Sequence, residues 1–138
     1  MVVVPEGHPL LSVDKLELAQ LAEYPLITYD VGFTGRSHID AAFKGAELDT
    51  DIVLTAMDSD VIQKYVTLGL GVGIVASMAA EDGKEKGLRA IDATHLFASN
   101  VTRLAVRRGA YLRSYAYDFI LRFAPELKLA EVQQAVNI

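Results

Sequence analysis

The stretch Gly32-Phe33-Thr34-Gly35-Arg36-Ser37 limits the fold more than any other part of the chain. An apolar run, Leu26-Ile27-Thr28-Tyr29, leads into it, and a helix-like run, His38-Ile39-Asp40-Ala41-Ala42-Phe43-Lys44, leaves it. A strand, a tight turn and a helix start therefore meet here. Gly32 and Gly35 can take positive φ and bring the backbone close to a ligand, while Thr34 or Ser37 can cap the helix. The first turn of such a helix offers N–H groups without internal partners, and its dipole favours negative charge. With the Thr34 hydroxyl and the fork-shaped Arg36 cation at the same place, the stretch reads as a pocket for a small anion. The same residues also suit an ordinary capped turn. A Walker loop is excluded, since two residues separate the glycines and Arg36 stands where Lys is needed. A nucleophile elbow fits no better, because Ile39 occupies the place of its second glycine.

Strand and helix signals alternate along the rest of the chain. Val2-Val3-Val4 reads as a strand beginning so abruptly that the chain is expected to start inside something larger, and Pro5-Glu6-Gly7-His8-Pro9 turns it. Asp14 with Glu17 suggests a capped helix whose apolar side holds Leu16, Leu18, Ala19, Leu21 and Ala22. Asp51 to Ala56 looks like a strand buried on both faces, followed by a helix capped at Asp58 or Ser59 with Val61, Ile62, Tyr65, Val66 and Leu68 inward. Gly69, Gly71 and Gly73 come after a helix and before a strand, the reverse of a dinucleotide fingerprint, so they read as a helix cap and a closely packed strand entry. A charged surface loop is expected over 81–87 and a short strand over 88–91. Val101 to Arg108 alternates as a half-exposed strand should. From Leu112 to Phe123 the apolar side chains Leu112, Tyr115, Ala116, Phe119, Ile120 and Phe123 recur at helical spacing, which predicts a packing face over the helix 113–123. Pro125 ends that helix, and a second is expected over 126–136. The alternation gives an α/β domain with a mostly parallel sheet flanked by helices, whose ligand site belongs at the carboxyl ends of the strands.

At 138 residues and 51% hydrophobic content the chain can build one real core. Its formal charge of −5 disfavours nucleic acid as a partner of the whole chain. Five arginines nonetheless cluster at 103, 107, 108, 113 and 122, against Asp118 alone, which reads as a solvated surface. Without cysteine, disulfides and thiolate metal sites are impossible. The longest apolar run, Leu68 to Ala80, has 13 residues, short of the roughly 18–20 that span a bilayer. A soluble, cytoplasmic protein with no membrane partner is expected, and no cofactor or metal is foreseen. His8, His38 and His95 show no ligand-like pairing. A small hydrolase using Ser37 and His38 is the weakest of the functional alternatives, since metal and triad sites need convergent partners.

Taken together, Val2 to Leu10, Glu23 to Tyr29, Gly32 to Ser37, Leu68 to Gly73, Ala76 to Ala79 and Tyr111 to Ile120 resemble the effector-binding region of LysR-type transcriptional regulators, in particular the CysB-like group of cysteine biosynthesis and sulfur metabolism. The resemblance covers nearly the whole chain. It implies one lobe of a periplasmic-binding-protein-like (type 2) fold, with residues 1–108 as the second lobe and 109–138 as a helical return segment. The helix-turn-helix and most of the first lobe are then absent, and this fragment would not contact DNA directly. The implied ligand is sulfate, thiosulfate, O-acetylserine or N-acetylserine, held by Thr34 with Phe33, Gly35, Arg36 and Ser37 around it. The family's partner hydroxyls lie on the first lobe. Asp30-Val31 departs from the family's Thr-Phe and Met57 from its Thr, and a carboxylate at Asp30 turned inward would repel an anion. Relatives associate through such domains, so a homodimer or larger assembly is expected. A free-standing solute-binding lobe is the alternative from another class.

Overall fold

Val2–Pro5 (β1), Leu26–Tyr29 (β2), Ile52–Ala56 (β3), Val72–Ile74 (β4) and Leu88–Ile91 (β5) form one sheet in the order β3-β2-β4-β1-β5. A 3-10 turn, Pro9–Ser12, and the helices Leu18–Ala22 (α1), Thr34–Gly45 (α2), Ser59–Thr67 (α3) and Ser77–Glu81 (α4) complete the compact unit Met1–Asn100. The second unit, Val101–Ile138, holds Ser114–Phe123 (α5) and Leu129–Asn137 (α6). The computed structural model describes residues 1–81 and 87–137, so most of the loop expected over 81–87 lies outside the described residues.

The sheet is mixed. β2 runs parallel to β3 and β4, as the strand–helix alternation predicts, whereas β1 is antiparallel to both β4 and β5, with Val3 facing Gly73 on one side and Ala90 on the other. Apolar runs identify strands but carry no direction, which is why the antiparallel half was not foreseen. Successive β1 side chains point to opposite faces. Val2 and Val4 join Leu10, Leu16, Leu21, Leu26, Ile39 and Phe43 beneath α1 and α2, while Val3 joins Ile27, Ile62, Val66 and Leu88 beneath α3 and α4. Both faces being covered, β1 needs an unbroken apolar run.

Two glycines make that packing possible. A β-carbon on Gly73 would lie 2.6 Å from Val3 Cγ2 and 2.8 Å from Val66 Cγ2, and one on Gly71 would lie 2.5 Å from the Pro25 carbonyl oxygen. These are the closely packed strand entry expected from the sequence. Gly69, at φ +76°, closes α3, and the Leu70 N–H reaches the Tyr65 carbonyl at 3.2 Å. The cap of α1 differs from expectation. Glu17, not Asp14, is its N-cap, and Gln20 Oε1 accepts the Glu17 N–H at 2.9 Å.

β3 is an edge strand, and the burial on both faces expected for it is wrong. Val53 is 49% exposed, and Thr55 is also exposed; among the described residues no strand lies beyond β3. Val61 and Leu68 of the α3 region likewise face solvent, leaving Ile62, Gln63 and Val66 as its buried side.

In the second unit, no strand forms over 101–108. The alternation there is real, but no strand pairing accompanies it. Val106 leans instead on Ile120, Val132 and Val136, together with Leu112, Tyr117 and Leu121. The expected packing face of α5 is therefore rotated. Ile120 is buried, whereas Tyr115, Phe119 and Phe123 are 67%, 60% and 46% exposed.

Candidate functional site

The parallel strands β2, β3 and β4 each run directly into a helix, α2, α3 and α4 respectively, so three strand-to-helix turns share the carboxyl edge of the sheet. This is the edge at which α/β sheets place ligands. One backbone bond ties the first two turns together, the Asp30 N–H donating to the Ala56 carbonyl at 3.1 Å, and the first turn is closed on itself by the Phe33 N–H, which donates to the Asp30 carbonyl at 3.3 Å. Gly32, at φ +104°, makes the bend. Gly35 does not need positive φ, since it already lies within α2.

Phe33 is the N-cap of α2, and no side chain caps it. Neither Thr34 nor Ser37 takes the expected role. The Ser37 N–H and Oγ both donate to the Phe33 carbonyl, at 3.2 and 3.4 Å. The open backbone donors are accordingly the N–H groups of Thr34, Gly35 and Arg36, which have no acceptor among the described residues. The Thr34 hydroxyl, exposed beside them, has no hydrogen bond among the described residues either. Three N–H groups, a free hydroxyl and the positive end of a helix can receive an anion.

Arg36 is differently employed from what its position in the sequence suggested. Its Nη1 donates to the Tyr29 carbonyl at 3.0 Å and its Nε to Asp40 Oδ1 at 2.8 Å, and its side chain is 12% exposed. The guanidinium thus braces α2 against the end of β2, with much of its donor fork already used. Asp40, four residues on, was the visible clue.

Tyr29 is the residue that sequence reasoning missed. Its hydroxyl accepts the Ala76 N–H at 2.9 Å and is 2.7 Å from Ser59 Oγ, so the end of β2 touches the starts of both α3 and α4. Its ring stacks on Phe33 with centroids 6.2 Å apart. Asp58, by contrast, caps α3 as expected, its Oδ1 accepting the Asp60 N–H at 2.7 Å. Met57, in the turn before α3, is 73% exposed.

The three histidines serve the fold. His38 Nδ1 lies 3.0 Å from the Ala98 carbonyl, and His95 Nε2 lies 2.7 Å from the Leu16 carbonyl. His8 Nδ1 accepts the Leu10 N–H at 3.2 Å, and burial holds its pKa below the usual histidine value. Ser37 and His38 each bond elsewhere, to Phe33 and Ala98, so the hydrolase pair is not assembled. Among the described residues no cluster of His, Asp or Glu could hold a metal, and no helix is long and apolar enough to cross a membrane.

The family model described as "LysR substrate binding domain" matches residues 1–128. The chain is 55% identical over 131 residues to the HTH-type transcriptional regulator SsuR of Burkholderia cenocepacia, spanning 95% of this chain and 42% of that protein. It is 52% identical over 135 residues to the HTH-type transcriptional regulator CysB of the same organism, spanning 98% and 43%. The crystal structure of the cofactor-binding domain of the Cbl transcriptional regulator superposes with a TM-score of 0.82 at 41% identity, covering 99% of this chain and 60% of that one. The chain therefore spans less than half the length of these two curated relatives.

Proposed function

The chain belongs to the LysR substrate-binding domain family, and on that premise we propose that it is the anion-sensing, effector-binding part of a CysB-like transcription regulator of sulfur assimilation and cysteine biosynthesis. The ligand is a small oxyanion, sulfate or thiosulfate, or else O-acetylserine or N-acetylserine. The observation that carries this reading is the free Thr34 hydroxyl beside the three open N–H groups of Thr34, Gly35 and Arg36. Phe33 borders that seat, and Ser37 lies behind it with its donors used. Residues 1–108 are the second lobe and 109–138 the return segment. In this reading the protein works in the cytoplasm as a homo-oligomer, with DNA contact left to a part of the regulator outside this chain. The named relatives are transcriptional regulators, which favours a sensing role over an enzymatic one.

A charge-assisted hydrogen bond contributes about 1.5–3 kcal/mol and a helix terminus about 0.3–2. Their sum, about 2–5 kcal/mol, compares with about 4.1 for a millimolar site. Binding by these groups alone should be millimolar or weaker. NMR titration of the chain with sulfate, thiosulfate, O-acetylserine and N-acetylserine is expected to shift the amides of residues 34–36, with Thr34→Ala weakening the response about tenfold or more. Micromolar binding indifferent to Thr34→Ala would overturn the assignment.

A further inference from the structure

Tyr29 touches all three strand-to-helix turns, through its carbonyl, its ring and its hydroxyl. Its carbonyl holds Arg36 at 3.0 Å and its ring stacks on Phe33 at 6.2 Å, both in the first turn region of α2. The ring also packs over Gly35, where an added β-carbon would lie 3.5 Å from Tyr29 Cδ2. Its hydroxyl, beyond the ring, accepts from the Ala76 N–H at 2.9 Å and meets Ser59 Oγ at 2.7 Å. An amide N–H can only donate, so the phenol keeps its own proton for Ser59 or takes the serine's, and both bonds coexist. A rigid aromatic plate is thus wedged against α2 at one end and hydrogen-bonded to α3 and to the residue before α4 at the other.

We propose that Tyr29 is a positioning residue that couples the first turn of α2 to the starts of α3 and α4. An anion drawn onto the N–H groups of Thr34, Gly35 and Arg36 moves the turn on which the ring rests. The hydroxyl carries that displacement to Ser59 and Ala76. This rests on the anion-seat reading above and adds to it a route by which occupancy leaves the seat. A second route exists in the backbone bond from Asp30 to Ala56, which does not involve the phenol hydroxyl. Removing only the hydroxyl therefore separates the two.

The test is sulfate titration of the whole chain, following the amides of residues 34–36, Ala56, Ser59 and Ala76 by NMR in wild type and in Tyr29→Phe. The phenylalanine keeps the ring against Phe33 and Gly35. It is expected to leave the response of residues 34–36 and Ala56 in place, with affinity within about tenfold of wild type, since the lost bonds lie outside the seat. The responses of Ser59 and Ala76 should vanish. In Ser59→Ala, which removes one partner and leaves the tyrosine intact, Ala76 should still respond and the start of α3 should not. Responses at Ser59 and Ala76 that persist unchanged in Tyr29→Phe overturn the coupling and leave the seat standing. No response of residues 34–36 in wild type overturns the seat, and the coupling with it. If Tyr29→Phe is unfolded, Ser59→Ala decides: an unaltered response at the start of α3 overturns the proposal.

Discussion

In the unit Met1–Asn100 the sheet is lined on both faces, and Val2, Val3, Val4, Leu21, Leu26, Ile27, Ile62 and Val66 are fully buried. In the unit Val101–Ile138 the buried apolar cluster consists of Ile120, Val132 and Val136, with Val106, Leu112, Tyr117 and Leu121 leaning on it. The difference follows from architecture rather than from apolar content. A sheet offers two surfaces, each wide enough for a pair of helices, whereas two helices of about ten residues share one narrow seam. Tyr115, Phe119 and Phe123 fall outside that seam and remain in water. The charge divides the same way: residues 1–100 carry 7 Lys/Arg against 15 Asp/Glu, while all five arginines between 101 and 122 are exposed.

The comparison would break most visibly in the core. Ile62 is fully buried between α3 and the sheet, so Ile62→Ala should destabilise the first unit by about 2–5 kcal/mol. Val132→Ala removes less volume from a smaller cluster, and it should speed hydrogen exchange in α5 and α6 while leaving β1 to β5 protected. Denaturant melts with residue-resolved exchange check both. Loss of protection in β1 to β5 on Val132→Ala would mean that the two units unfold as one body.

How much of this was legible in the sequence depends on how local each cause is. The strands β1 to β5, the helices α2, α3 and α5, the Asp58 cap and the Gly69 terminus follow from near neighbours, and the structure has them in place. The edge position of β3, the missing strand over 101–108 and the rotated face of α5 depend on what lies across a gap in space. No periodicity within a segment contains that information. At the site, the helix N-terminus was readable, but which of its N–H groups stay open was not, because the Ser37 N–H bonds the Phe33 carbonyl. The role of Arg36 was half legible, since Asp40 sits at the i+4 spacing and the Tyr29 carbonyl does not announce itself. Tyr29 itself was hidden because its partners, Ser59 and Ala76, are 30 and 47 residues away.

A smaller effect should come from Gly73. Alanine there must push aside Val3 and Val66, which belong to the same buried layer and have little room to retreat. Overpacking of this kind costs about 1–3 kcal/mol. The second unit offers a control in Gly109, whose added β-carbon would meet nothing within 4 Å but whose φ of +70° disfavours any side chain. Gly109→Ala should cost about 1 kcal/mol through backbone strain alone. Thermal melts of the two variants separate the causes: in the Gly73→Ala background, trimming Val66 to alanine should restore part of the lost stability, and no such partner exists for Gly109. A Gly73→Ala variant as stable as wild type would show that the sheet face is looser than its geometry implies.

The smallest effect on folding is expected at Phe119, and it bears most directly on why the second unit leaves aromatic surface uncovered. The side chain is 60% exposed and stacks on Phe123 with ring centroids 6.2 Å apart, so Phe119→Asp should change folding stability by no more than about 0.5 kcal/mol. Association is a different matter. Tyr115, Phe119 and Phe123 recur every four residues on one side of α5, and burying each large apolar side chain is worth about 1.5–3 kcal/mol. A two-fold contact lets one such patch cover its twin, and the homo-oligomer proposed above would then be held partly by α5. A carboxylate placed in the middle of that contact would be desolvated opposite its own copy. Sedimentation at micromolar concentration should therefore show the wild-type chain larger than a monomer and Phe119→Asp shifted toward the monomer, with the melting temperature nearly unchanged. A wild-type monomer, or an oligomer that ignores Phe119→Asp, would mean that the exposed stripe is not the surface on which copies of this chain meet.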